Sequence, residues 1–161
     1  MKCIEKVKNL ILGKIACLQE KNAMVINKPK SGKTYILCLS NENPLSEKII
    51  GINLQNTRYL HDGSFGDESE KNNYIVTPMK EDGTVNLVPF IVALKSNKEI
   101  IPVYVSNDEE IFIAYGKPIQ VSNCYTEDGQ FDYEKINLYV DKWQSSIAKA
   151  KNECEKVKKM S

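Results

Sequence analysis

Two runs constrain this chain more than anything else in it: Thr34–Leu39 (TYILCL) and Ile100–Val105 (IIPVYV). Neither alternates polar with apolar residues, as a strand with one wet face does. Each therefore reads as a strand covered on both sides, near the centre of a sheet. Such a sheet needs helices on both faces. The expected fold class is α/β: a single domain over residues 1–161, with a central mixed β-sheet flanked by helices and amphipathic helices at both termini. A chain of 161 residues can bury a substantial core.

The terminal helices announce themselves by spacing. In residues 2–20, Ile4, Val7, Ile11, Ile15 and Leu18 recur at three- and four-residue steps, with Lys2, Lys6, Lys8 and Lys14 toward the other face. Gly13 weakens the middle of this helix by about 1 kcal/mol relative to Ala. A basic amphipathic helix can lie on an anionic lipid surface. The commoner use of such a stripe, and the one expected here, is to face the domain's own core. Over residues 133–160, Ile136, Val140, Trp143, Ile147, Ala150, Cys154 and Val157 follow the same rule. Lys156, Lys158 and Lys159 suit the negative pole of that helix. A heptad pattern can seat a partner helix. Trp143 beside Ala150 makes an uneven seam, so packing onto the sheet is expected.

Between the helices, Ala23–Ile26, Tyr74–Thr77 and Ile111–Tyr115 read as further strands, the last stopped by Gly116-Lys117-Pro118. Ile49–Leu54 suits a helix or a strand. A helix is expected to start near Pro89. The polar segment 56–73 reads as a mobile loop.

Composition excludes several classes. With 22 Lys and Arg against 21 Asp and Glu, the chain lacks the basic excess of a nucleic-acid binder. Its five cysteines form no CxxC pair and a single His accompanies them, so neither a metal site nor another cofactor is expected. Reduced thiols point to the cytoplasm. No apolar run approaches the roughly 20 residues that cross a bilayer, and no secretory signal is visible at the N-terminus. Peripheral membrane association stays open.

Two motifs invite nucleotide or base chemistry. Asn27–Thr34 ends in the Gly-Lys-Thr of a phosphate-binding loop, but Asn27 replaces its first glycine. Such a loop must open a helix, and TYILCLSNENP is strand-forming. His61, in HDGSFGD with Asp67 six positions on, reads as a surface loop residue.

The segment Pro29–Gly51 (PKSGKTYILCLSNENPLSEKIIG) joins a turn, a buried strand and a polar loop to a second apolar run. This layout resembles the first motif of the glycerolipid acyltransferase family, which acylates lysophosphatidate. Ala93–Val105 (ALKSNKEIIPVYV) and Ala114–Ile119 (AYGKPI) are similar to two further family segments, in the family's order. In that family Ser-Asn is followed by His, four residues and Asp. Here Ser40-Asn41 are followed by Glu42, and Glu47 stands at the Asp position. The family's phosphate-binding Phe-Pro-Glu-Gly-Thr-Arg falls on Tyr74–Met79, where Glu, Gly and Arg are absent and only neighbouring Lys80 is cationic.

What the resemblance implies follows from these substitutions. The family's His is the general base on the acceptor hydroxyl and its Asp orients the imidazole. A glutamate of ordinary pKa, about 4.3, is a poor base for an alcohol. Glu42 and Glu47 are thus the candidate catalytic residues of an impaired or absent activity. Asn41, Arg58 (the only arginine) and Lys80 are the candidate substrate contacts. An acyl thioester or phospholipid is the implied ligand, with no cofactor. Two carboxylates at this spacing can also hold a divalent cation. Pro44 between them favours a solvent-facing loop. A different reading takes Ser106 and Glu109 as a capping box, making Ile111–Tyr115 helical. That arrangement is similar to the SseB-type N-terminal domain, a non-enzymatic α+β binding module.

Overall fold

A computed structural model describes residues 2–30, 33–40, 44–54, 57–59, 73–76, 85–106 and 111–159. Its elements, in chain order, are α1 (Lys2–Lys21), β1 (Met24–Ile26), β2 (Tyr35–Leu39), α2 (Pro44–Leu54), β3 (Thr57–Tyr59), β4 (Asn73–Val76), α3 (Val88–Ser96), β5 (Glu99–Ser106), β6 (Phe112–Tyr115) and α4 (Tyr133–Lys159). The strands form one mixed sheet in the order β1-β6-β5-β2-β4-β3. Every pairing is parallel except β5 with β6.

The two non-alternating apolar runs lie side by side. Strand β2 pairs with β5 in register from Tyr35↔Glu99 to Leu39↔Val103. All five residues of β2 are buried, as a strand with no wet face requires. Its side chains alternate between two cores. Tyr35, Leu37 and Leu39 meet Ala16 of α1 and Ile49 and Ile50 of α2. Ile36 and Cys38 meet Phe90 and Ala93 of α3 and Ile136, Val140 and Trp143 of α4. The result is a helix–sheet–helix sandwich.

The two crossovers place these layers. The path β2–α2–β3 passes over β4 on one face, and β4–α3–β5 passes over β2 on the other. They run in opposite directions on opposite faces and so share one hand, as twisted parallel sheets require. Helix α4 then returns along β5 and β6, and the Trp143 indole N–H donates to the Cys38 carbonyl at 3.2 Å.

Three readings of the sequence change. Pro44 does not hold a loop open: it is the first residue of α2, where a missing N–H costs nothing. The segment expected as loop from residue 56 begins with the edge strand β3, paired with β4 from Thr57↔Asn73 to Tyr59↔Ile75. Ile111–Tyr115 holds a strand, β6, not a helix. That removes the feature on which the SseB-type arrangement depends.

Candidate functional site

Parallel strands deliver their following loops to one edge of the sheet, and ligands of open α/β sheets gather where neighbouring loops depart toward opposite faces. Here that point lies between β2 and β4. They pair from Ile36↔Tyr74 to Cys38↔Val76. The chain leaves β2 for α2 on one face and leaves β4 for α3 on the other. The segments that follow these two strand ends are those carrying Asn41 and Glu42, and Lys80.

Asn41, Glu42 and Lys80 themselves lie outside the described residues, as do His61 and Glu109. Glu47 is half-buried in the first turn of α2, not on a loop. An acidic side chain there complements the positive helix pole. Arg58 is the middle residue of β3, opposite Tyr74 and two strands from β2. Among the described residues no cluster of His, Cys, Asp and Glu could hold a metal ion; Glu42, one half of the considered carboxylate pair, falls outside that set.

The Gly-Lys-Thr run does not open a helix, as its strand-forming sequel predicts. Lys33 leads into strand β2 rather than a helix, so no helix N-terminus faces a phosphate there. Its ammonium is bonded to the Glu99 carboxylate at the start of β5, at the amino edge of the sheet. That contact raises the Lys33 pKa.

A concavity lies elsewhere, between α1 and α2. A groove of about 1150 Å³ is lined by Leu10, Gly13, Cys17 and Leu18 of α1 and by Gly51 and Ile52 of α2. Its rim carries Lys6, Lys14 and Lys48. Ligand pockets typically measure about 300–1,000 Å³. Gly13 opens this space: a Cβ built there would meet nothing within 4 Å. Lys48 follows Glu47 directly in α2 and lines the groove.

Beneath the groove the two helices are tied to the sheet by a polar chain. The Tyr115 hydroxyl donates to Asn53 Oδ1 at 2.7 Å, and Asn53 Nδ2 donates to Glu20 Oε1 at 3.0 Å. Burial, and the charge of Glu20, push the Tyr115 pKa up. Burial alone does the same to the Cys38 thiol. A thiol that keeps its proton is inert as a nucleophile.

Sequence reasoning missed the groove because its α1 residues flank the main apolar stripe, with Leu18 alone shared between the two. The available signal was a glycine in the middle of each facing helix, Gly13 and Gly51, at positions where glycine costs helix stability. No family model, curated protein or solved structure matches the chain.

Proposed function

We propose that this chain is an acyltransferase-like protein of glycerophospholipid metabolism that binds an acyl lipid with impaired or absent catalysis. The observation that carries the reading is the lysine-rimmed apolar groove between α1 and α2. An amphiphile with an acyl chain and an anionic headgroup matches it part for part. The apolar floor takes the chain, while Lys6, Lys14 and Lys48 meet the charge.

The fold supports the same reading. The three segments that resemble the acyltransferase family fall on β2, β5 and the end of β6, within one sheet. The chain after β2, with Glu42 and Glu47 in place of the family's His and Asp, leaves from the switch point of that sheet. Without an imidazole, proton abstraction from an alcohol falls to a carboxylate, whose ordinary pKa leaves it too weak a base at neutral pH. Asn41, Arg58 and Lys80 are the proposed headgroup contacts beyond the groove.

Cys17, Cys38, Cys124 and Cys154 are unpaired, which accords with the proposed reducing, cytoplasmic setting. No helix among the described residues is long and apolar enough to cross a membrane.

The test is lysophosphatidate binding and turnover by the purified chain. Saturable binding is expected, weakened at least about tenfold by Gly13→Phe, which fills the groove from an open position. No acyl transfer from acyl-CoA above background is expected. Transfer abolished by Glu42→Gln would make the protein an active enzyme, and absence of saturable binding would overturn the reading.

A further inference from the structure

The apolar stripe of α1 does not face the core. Ile4, Val7, Ile11, Ile15 and Leu18 are 60, 54, 54, 40 and 65 % exposed. The residue that does pack inward is Ala16, at 0 %. Glu20 is also turned inward, bonded to Asn53. At 3.6 residues per turn, Ile4, Ile11 and Leu18 fall on one line along the helix, and Ala16 falls near the opposite side. The groove residues Gly13 and Cys17 occupy the flank between them. Helix α1 therefore has an inward side, a groove side and an apolar outward side.

We infer that this outward side docks the domain onto an anionic membrane surface, with α1 lying in the plane of the interface. Scattered exposed aliphatics need no explanation, but a continuous line of five along 20 residues does. Such a helix is about 30 Å long. Lysines bracket the line. Lys8 lies on one side, one turn from both Ile4 and Ile11, and Lys14 and Lys21 lie on the other; all are exposed. The helix carries five lysines and two glutamates. Apolar residues entering the acyl boundary, flanked by cations at headgroup level, are what an interfacial helix needs.

Charge also decides against the main competitor. A second copy of this chain laid on the same stripe would bring lysine rows together, and like charges across an interface oppose assembly. An anionic lipid surface neutralises both rows. The inference rests on the groove reading only in taking membrane lipid as the source of the groove's ligand; the exposed stripe stands without it.

The experiment is co-sedimentation of the full chain with phosphatidylcholine vesicles made with and without phosphatidylglycerol. Binding is expected on the anionic vesicles and at least about tenfold weaker on the neutral ones. Ile4→Glu and Ile11→Glu alter exposed side chains outside the groove, so circular dichroism should be unchanged while vesicle binding is lost. Lys8→Glu with Lys21→Glu should weaken anionic-vesicle binding. Gly13→Phe should retain vesicle binding while losing lysophosphatidate, and Ile11→Glu should do the reverse, so the two proposals fail separately. Equal binding to both vesicle types, no binding to either, or binding indifferent to Ile11→Glu would overturn the inference. So would a dimer broken by Ile11→Glu, which would assign the stripe to a second copy.

Discussion

Trp143 shows how far a single residue can be read. Its spacing places it on the inner stripe of α4, and it is indeed buried. Its partner could not be foreseen, because the Cys38 carbonyl is 105 residues away in sequence. Trp143→Phe keeps most of the ring volume and removes that hydrogen bond, while the carbonyl stays within the β2–β5 ladder. A loss of about 0.5–1.5 kcal/mol is expected, measured by urea unfolding. Asn53 was equally illegible: a polar residue in an apolar run says nothing about Tyr115 and Glu20 until the helices are packed. Cys38 and Tyr115 add a pH dependence. Both hold their protons more tightly folded than unfolded, so stability is whole below their ordinary values of 9.0 and 10.0 and falls as pH rises beyond them. Unfolding free energy should decline from about pH 9 by up to about 1.4 kcal/mol per pH unit for each group. Cys38→Ala should flatten the first part of that decline.

Among elements, long periodic segments and short continuous apolar runs were the legible ones. Helices α1 and α4 lie close to their expected bounds because three- and four-residue steps fit a helix. Strands β2, β5 and β6 do so because short unbroken apolar runs rich in β-branched and aromatic residues read as buried strands. Helix α2 and strand β3 were not legible. The run Ile49–Leu54 is too short and too uniformly apolar to distinguish the two periods, and β3 is a three-residue edge strand. Helix α1 teaches the sharper lesson: periodicity gave its stripe correctly but not the side on which the stripe lies. Two glycines separate helix from strand-end packing. At Gly13 an added Cβ meets nothing within 4 Å. Gly13→Ala should therefore raise stability by about 1 kcal/mol. At Gly116 an added Cβ would collide with Ser146 Oγ and press on Pro102 at 3.2 Å. Gly116→Ala should lower the melting temperature, and the pair compared by calorimetry checks both.

At the scale of the molecule, the sheet order explains why the chemistry-bearing segments follow neighbouring strand ends. Sequence order alone fixed their succession, while the adjacency of β2 to both β4 and β5 depends on two crossovers of one hand. The same topology puts Lys33 at the opposite edge, paired with Glu99, where the Gly-Lys-Thr run leads into a strand and not a helix. The groove arises from neither motif nor sheet. It lies between two helices, where Gly13 adds no side chain to fill it, with lysines among its lining. Photocrosslinking with a diazirine-bearing long-chain lysophosphatidate, followed by peptide mass spectrometry, tests that arrangement most directly. Adducts confined to the Leu10–Leu18 and Lys48–Ile52 peptides, and abolished in Gly13→Phe, are expected. Adducts distributed over α3 and α4, or unchanged by that substitution, would contradict it.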